Sequence, residues 1–241
     1  MRYLLTFSYD GTKFHGFQRQ NNVKNVQGAL EQVLSEILKE RIVIKGSGLT
    51  DAGVHALNQK AHFDYEKKLP KNLKVQLNKY LNKEIVIKKV DQVHEDFHAR
   101  HSAIKKIYTY KIYMGHNFNK EGYYYHIRYP VDLKEMKKVA KLMEGTHDFR
   151  NFVSGDRIDY TSTIYKIIIK KYFNYLTITF VGVGFYRYMV RHLVGALLDV
   201  GRNHADIKRV ENMLDNENFV NKLGIVPAQG LYLVNVFYKK L

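Results

Sequence analysis

The hydrophobic residues at the start of the chain follow first the period of a strand and then the period of a helix. Residues 3–9 alternate in the way that a half-buried strand does. Residues 26–39 instead carry apolar side chains at helical spacing, and Asn25 just before them is a typical N-cap residue. The helical stripe consists of Val26, Leu30, Val33, Leu34, Ile37 and Leu38. The pattern therefore predicts a strand followed by an N-capped helix.

Four more elements complete a first unit. Residues 41–45 and 59–65 alternate like strands on either side of a glycine-containing stretch. A helix is predicted at about 71–82, and a strand at 85–90. The expected apolar face of this helix consists of Leu73, Leu77, Tyr80 and Leu81. The predicted order is β-α-β-β-α-β.

The second half repeats this order and adds one short helix. Strands are predicted at 107–113, 163–172, 175–182 and 231–238, and helices at about 132–143, 186–200 and 205–214. Two consecutive units of this kind are typical of two ferredoxin-like modules, an α+β architecture with antiparallel sheets and helices on one face. We expect the modules to span residues 1–103 and 104–241. If their sheets join edge to edge, a cleft forms where they meet.

Composition indicates a folded protein. The 241 residues are 45% hydrophobic, which is enough for a core, and no apolar run approaches the length of a membrane span. The N-terminus mixes in polar residues too early for a signal peptide, so we expect a cytoplasmic protein. The absence of cysteine excludes disulfides, thiol nucleophiles and cysteine-ligated metals.

The charge indicates a polyanionic partner. Lys and Arg number 39 against 23 Asp and Glu, a net charge of +16 with a pI near 9.7. Nucleic acid is the first partner to consider. The alternative is that these charges only solvate a generally basic surface.

One carboxylate, Asp51, lies in the stretch GSGLTDAGVHAL at residues 46–57, between two predicted strands. Glycine, threonine and aspartate are common turn residues, so a structural turn is one interpretation. The alternative is a partly buried loop carrying one acid, because Ala52, Val54 and Ala56 are not needed in a solvent-exposed turn. A buried acid requires a cation or hydrogen bonds to stay ionised.

Two other groups, arginines and tyrosines, are candidates for chemistry. Arg187 and Arg191 lie four residues apart on a predicted helix with a strongly apolar side, where arginine is usually a snorkelling surface charge. Tyr108 and Tyr110 alternate with basic residues at 105–111, a pattern that suits base stacking beside phosphate contacts but also an ordinary half-buried strand.

Histidines cluster after the last strand predicted for the first unit. His94, His98 and His101 have i, i+4 and i+7 spacing, which could place imidazoles on one helical face for a metal. The segment lacks helical periodicity and an HExxH pattern, so we expect no metal site. Phosphate-binding and serine-hydrolase motifs do not occur in the sequence.

Several ordered motifs make the chain resemble the tRNA pseudouridine synthase A family. They are YDGTKFHGFQRQ (9–20), NVQG (25–28), TDAGVHA (50–56), DFHAR (96–100), the strand with Tyr108 and Tyr110, GTHDF (145–149), MVRHLVG (189–195) and GLYLV (230–234). The resemblance implies the duplicated α+β fold with a central cleft, and a homodimer that binds a tRNA anticodon arm. It also implies isomerisation of uridine to pseudouridine, without metal or organic cofactor.

The resemblance implies roles for individual residues. Asp51 matches the catalytic aspartate, Arg191 the arginine that pairs with it, and Tyr108 the tyrosine that stacks on the target base. The candidate substrate or RNA contacts are Tyr108, Arg19, Arg100, Lys105, Lys106, Thr50 and His55. The chemical route taken by Asp51 stays open.

One position departs from the family. Leu49 stands where members usually have an arginine that helps engage the flipped nucleotide and the RNA strand. Leucine has neither charge nor hydrogen bonds, which leaves the RNA substrate open. The alternatives are a paralogue acting on another tRNA site or on ribosomal RNA, and a non-catalytic RNA-binding protein. A metal-dependent nuclease using the histidines is a more distant one.

Overall fold

A computed structural model describes residues 1–116, 120–215 and 223–239 of the protein. In these ranges the chain forms mixed α+β structure with ten strands and five α-helices. The strands are β1 (Arg2–Tyr9), β2 (Lys45–Gly46), β3 (His55–Asp64), β4 (Ile85–Val93), β5 (Ala103–Tyr113), β6 (Tyr125–His126), β7 (Gly145–Asp148), β8 (Thr161–Tyr172), β9 (Tyr175–Gly182) and β10 (Leu231–Tyr238). The helices are α1 (Val26–Leu38), α2 (Leu73–Tyr80), α3 (Leu133–Met143), α4 (Met189–Gly201) and α5 (Ile207–Leu214). None of the helices so described is long and apolar enough to cross a membrane.

The chain divides into two compact units. The first contains Met1–Ile104 together with the chain from Tyr232 onwards, and the second contains Lys105–Leu231. The final strand thus belongs mainly with the first unit, whereas the sequence placed it in the second module. The reason is its pairing, because Tyr232 and Leu233 of β10 lie parallel to His55 and Ala56 of β3.

The first unit has the antiparallel strand order β4–β1–β3, with β2 paired to the other edge of β3. Phe7 of β1 packs on Phe17, and both are fully buried with Leu30 and Leu34 of α1. Asn25 caps α1 as predicted, since its side-chain oxygen accepts a hydrogen bond from the Gly28 N–H at 2.8 Å. The helix face predicted for α2 is buried at Leu73, Leu77 and Leu81 but not at Tyr80.

The strand predicted at 41–45 is wrong for most of its length. Ile42 and Ile44 are buried and their neighbours are exposed, so the alternation in burial is present. The backbone, however, bonds to side chains of α1 instead of a strand. The Ile42 N–H donates to Ser35 Oγ at 2.9 Å, and the Ile44 N–H to Glu31 Oε1 at 3.0 Å. Strand pairing begins only at Lys45.

The second unit has the antiparallel order β5–β9–β8–β7, with β6 lying parallel on β5. Asp132 caps α3, and the other predicted helices occur as α4 and α5. Helix α4 begins at Met189, later than predicted, because Tyr188 adopts a left-handed φ of 61°. A close approach fixes this helix, since a Cβ on Gly195 would lie 1.8 Å from the carbonyl oxygen of Gly224.

Candidate active site

Asp51 lies in the loop between β2 and β3, with its side chain partly exposed. Two backbone hydrogen bonds shape this loop. The Phe17 N–H donates to the Thr50 carbonyl at 3.0 Å, and the Val54 N–H donates to the Asp51 carbonyl at 3.1 Å. Gly53 follows with a positive φ of 82°, which explains the glycine in the motif. The interpretation as a partly buried loop is therefore confirmed, and turn chemistry forms part of it.

A chain of buried polar side chains supports the same loop. The Tyr9 hydroxyl lies 2.7 Å from Thr50 Oγ1, and Gln59 Nε2 donates to the Gly48 carbonyl at 3.1 Å. Ser47 Oγ donates to Gln59 Oε1 at 2.6 Å. Burial raises the pKa of Tyr9 to about 12, so its hydroxyl keeps its proton at neutral pH. Buried hydrogen bonds thus hold the two residues on either side of Leu49, Gly48 and Thr50.

His55 holds the far end of the loop against the turn after β1. Its Nδ1 accepts a hydrogen bond from the Gly11 N–H at 3.1 Å, so this nitrogen carries no proton. Asp10 Oδ1 lies 3.4 Å from the same nitrogen, a contact that becomes an ion pair only when the ring is protonated. The ring stacks on Tyr232 of β10 with centroids 4.5 Å apart. These contacts hold His55, the first residue of β3, in a buried position where the loop ends.

Leu49 differs from the buried, hydrogen-bonded residues around it. Leu49 is 49% exposed, although Thr50, which follows it, and Ser47, two residues before it, are buried. The exposed Leu49 thus lies between two buried residues whose side chains are hydrogen-bonded. The departure from the family motif therefore lies on the surface of the site.

In the second unit, Tyr108 and Tyr110 share one face of β5 but differ in burial. Tyr108 is partly exposed, pairs with Phe180 across the strands, and meets Phe185 edge to face at 5.4 Å. Tyr110 is fully buried, and its hydroxyl donates to the Pro227 carbonyl at 2.7 Å. Burial raises the pKa of Tyr110. Tyr110 is thus a core residue, and Tyr108 is the tyrosine with surface to offer a base.

Arg191 is held on the first turns of α4. Its Nε donates to the Val226 carbonyl at 2.7 Å, and its guanidinium carbon lies 4.9 Å from the centroid of the Tyr188 ring. Arg187 approaches the same ring at 4.9 Å but is exposed. Arg191 therefore has a defined direction, whereas Arg187 corresponds to the surface charge that the pattern also allowed. Asp51 belongs to the first unit and Arg191 to the second, so their pairing stays a prediction.

The remaining candidate RNA contacts are spread over the two units. Arg19 Nη1 bonds to the buried Glu31 carboxylate at 2.7 Å, which commits part of its guanidinium to α1. Arg100 is exposed, and its backbone N–H donates to His98 Nδ1 at 3.1 Å. Lys105 and Lys106 are partly exposed on β5, near Tyr108.

The histidine cluster has a different membership from the one the spacing suggested. His98 and His101 lie with ring centroids 4.3 Å apart, and the neighbour of His98 is His62 of β3, at 4.7 Å. His94 is an exposed residue beside Asp96. His62 and His98 both use Nδ1 to accept backbone N–H bonds. Within the described ranges, no three histidine, aspartate or glutamate side chains are grouped to hold a metal ion.

Sequence reasoning missed Gln59 and Tyr9 as parts of the site. A signal for Gln59 was present, because it lies in phase with Ala61 and Phe63, both buried on β3. A polar residue at an inward position of a strand requires hydrogen-bond partners. Its partners are the loop residues next to Asp51.

Comparison with known proteins defines the class. A family model described as tRNA pseudouridine synthase matches residues 5–102 and 139–239. A tRNA pseudouridine synthase A of Limosilactobacillus reuteri (strain DSM 20016) is 42% identical over 247 residues, covering 98% of this chain and 96% of the relative. One from Geobacillus sp. (strain WCH70) is 41% identical, covering 97% and 96%. A tRNA pseudouridine synthase A 2 of Bacillus cereus (strain ATCC 14579) is 39% identical, covering 97% and 98%. The chain belongs to the tRNA pseudouridine synthase family, a family of isomerases.

Proposed function

We propose that this protein isomerises uridine to pseudouridine in the anticodon stem-loop of tRNA. The observation that carries the proposal is the loop of Asp51, which anchors both flanks of one partly exposed carboxylate within a chain that matches the family over nearly its full length. The net charge of +16 supports a polyanionic substrate. No metal or organic cofactor takes part in the proposed reaction.

The proposed roles follow the differences in exposure and anchoring. Asp51 is the catalytic carboxylate, acting during C1′–N1 cleavage. Tyr108 stacks on the uracil after the nucleotide leaves the RNA stack, a step that costs a few kcal/mol. Arg191 pairs with Asp51 and keeps it ionised, as a guanidinium beside a carboxylate does. Its anchoring at Val226 supports this role, because a fixed guanidinium loses little freedom on pairing.

The RNA backbone is proposed to contact cationic side chains around these groups. Arg100, Lys105 and Lys106 supply phosphate contacts, and Arg19 contributes the part of its guanidinium that Glu31 does not engage. Thr50 and His55 are proposed to act mainly by holding the loop, because both are buried and their side chains bond to Tyr9 and Gly11. We also propose that the protein is a cytoplasmic homodimer, as its resemblance to the family implies.

We further propose that each unit is a ferredoxin-like module. The antiparallel order β4–β1–β3–β2, with α1 and α2 in the connections, supports this for the first unit. The adjacent strands β5, β9 and β8, with α3 between β5 and β8 and α4 after β9, support it for the second. The division of labour stays a prediction, with the aspartate in the N-terminal module and the tyrosine and arginine in the C-terminal one.

The direct test is to incubate the protein with unmodified tRNA and map pseudouridine by carbodiimide-blocked primer extension. The expected result is a stop in the anticodon stem-loop with wild type and none with Asp51→Asn. Tyr108→Phe tests the hydroxyl and Tyr108→Ala the stacking ring, and the second is expected to lose more activity. Product formed by Asp51→Asn, or no product with wild type on tRNA and ribosomal RNA, would refute the proposal.

The exposed Leu49 favours one second candidate, a paralogue with the same chemistry at another uridine of tRNA or ribosomal RNA. In such a paralogue, a different RNA strand would dock at the uncharged Leu49, while Asp51 and its supports stay in place. Mapping pseudouridine in total RNA from cells with and without the protein distinguishes the two. Sites lost outside the anticodon stem-loop would favour the paralogue.

A further inference from the structure

The side chain of Gln59 has an orientation that its partners determine. Its amide oxygen accepts from Ser47 Oγ at 2.6 Å and from the Lys60 N–H at 3.2 Å. Its nitrogen donates to the Gly48 carbonyl at 3.1 Å. A backbone N–H can only donate and a carbonyl can only accept, so a flipped amide would face both with the wrong atom.

With this orientation, the amide nitrogen of Gln59 faces Tyr9. The second proton on Gln59 Nε2 points at the Tyr9 hydroxyl oxygen, 3.4 Å away. Tyr9 then accepts from Gln59 and has its own proton available for Thr50 Oγ1 at 2.7 Å. The chain thus links Ser47 through Gln59 and Tyr9 to Thr50.

The chain holds two points of the loop that flank Leu49 and precede Asp51. Gln59 takes the Gly48 carbonyl, and Tyr9 takes the Thr50 side chain, while Phe17 holds the Thr50 carbonyl. Tyr9, Ser47, Thr50 and Gln59 are all buried. Buried hydrogen bonds of this kind define one loop conformation, because any shift leaves a polar group without a partner.

We propose that Tyr9 and Gln59 are positioning residues that set the direction of the Asp51 carboxylate through Thr50 and Gly48. This inference rests on the proposed function and adds two residues to its machinery. Neither residue has a surface to offer the RNA, so each acts only through the loop. An error of about 1 Å in the placement of a catalytic group can cost about a hundredfold in rate.

The test uses single hydroxyl deletions in the full chain. Tyr9→Phe and Thr50→Val each remove one end of the same hydrogen bond with little change in shape. We expect each to lower kcat on unmodified tRNA by about a hundredfold, with KM within about twofold of wild type. The double variant is expected to lose no more than either single variant, because one interaction is removed only once.

The matched control is Tyr3→Phe on the same strand. Tyr3 is also buried, and its hydroxyl bonds to the Lys67 carbonyl at 3.3 Å, away from the loop. It should lower the denaturation midpoint to a similar extent as Tyr9→Phe and leave kcat unchanged. If Tyr9→Phe does not fold, Gln59→Leu and Thr50→Val carry the same test.

The outcomes separate the two proposals. Absence of pseudouridine with wild type refutes the proposed function itself. An active wild type combined with a folded Tyr9→Phe that keeps kcat refutes only the positioning role. Additive losses in the double variant, or an equal loss of kcat in Tyr3→Phe, would also refute it, because each would indicate a general effect of stability.

Discussion

The Nε of Arg191 donates a hydrogen bond to the carbonyl oxygen of Val226 at 2.7 Å. The next carbonyl, that of Pro227, accepts from the hydroxyl of Tyr110 at 2.7 Å. Helix α4 and strand β5 thus hold the same short segment from two sides. Because a guanidinium is planar, a bond at Nε also fixes the plane in which its other N–H groups lie.

We therefore predict that Arg191→Lys loses about a hundredfold in kcat although it keeps the positive charge. Lysine offers a flexible point charge and cannot bond to Val226 while presenting a planar fork to a carboxylate. The measurement is initial-rate pseudouridine formation on unmodified tRNA, with the fold checked by circular dichroism. Arg187→Lys is the control, because Arg187 approaches the same tyrosine ring but is exposed. Equal activities for the two variants would contradict the prediction.

At Leu49 we predict a substitution that strengthens RNA binding. Leu49→Arg places a cation at an exposed position whose neighbours are anchored, so we expect little loss of stability. If RNA passes this point, one added phosphate contact should steepen the dependence of log Kobs on log salt by about 0.7 to 0.9 and tighten binding at low salt. Filter binding of tRNA at several salt concentrations measures both quantities.

Val43→Arg is the matched control for this change. Val43 is another exposed apolar residue of the first unit, at 45% exposure, outside the loop of Asp51. It adds the same charge to the protein without adding it to the site. A similar gain in both variants would mean that only net charge matters, and that Leu49 does not face the RNA.

Much of the secondary structure was predictable because its causes are local. The Asn25 cap and the apolar stripe of α1 are both visible in the sequence, and both occur in the structure. The strand at 41–45 failed for a reason that sequence does not display. Ile42 and Ile44 are buried, as the alternation of a strand would place them, but their N–H groups bond to Ser35 and Glu31 rather than to a strand.

In the site, too, the sequence predicted which residues matter but not the tertiary contacts that hold them. Asp51, Tyr108 and Arg191 came from motifs, and the structure adds anchoring that motifs cannot express. Tyr110 lies two residues from Tyr108 on the same face, yet it is a fully buried core residue. Tyr110 is buried because it bonds to the segment at Pro227, which is more than a hundred residues away in sequence. The support of the Asp51 loop by Gln59 is likewise a matter of tertiary contact.

Gly11 provides a prediction about how the loop is packed. A Cβ on Gly11 would lie 2.3 Å from the carbonyl oxygen of Val54, so Gly11→Ala must displace backbone. We expect a loss of about 2 kcal/mol in the free energy of unfolding, typical of overpacking, and a fall in activity because Val54 ends the Asp51 loop. Urea denaturation measures the first, and the tRNA assay the second. Gly184→Ala is the control, since its Cβ would have no atom within 4 Å. A Gly11→Ala protein as stable as wild type would show that the loop yields freely.

His62 provides a prediction about acid stability. Burial, with smaller contributions from the neighbouring charges of His98 and Arg2, lowers the pKa of His62 from 6.5 to about 4. Its Nδ1 accepts the Ala99 N–H at 3.1 Å, a bond that is lost when this nitrogen is protonated. Between pH 6.5 and 4 the unfolded chain therefore binds more protons than the folded one. The stabilisation is complete above pH 6.5 and is lost progressively as the pH falls towards 4, by roughly 2 to 3 kcal/mol.

The measurement is the free energy of unfolding by urea at several pH values between 4.5 and 7. His62→Asn should flatten this profile, because an amide oxygen can accept the Ala99 N–H without titrating. His94→Asn is the control, since His94 is an exposed residue beside Asp96 and should leave the slope unchanged. If wild type and His62→Asn lose stability in parallel on acidification, the slope belongs to other groups. A flattened profile in His62→Asn alone would assign the acid sensitivity of the first unit to the contact between β3 and the segment at Ala99.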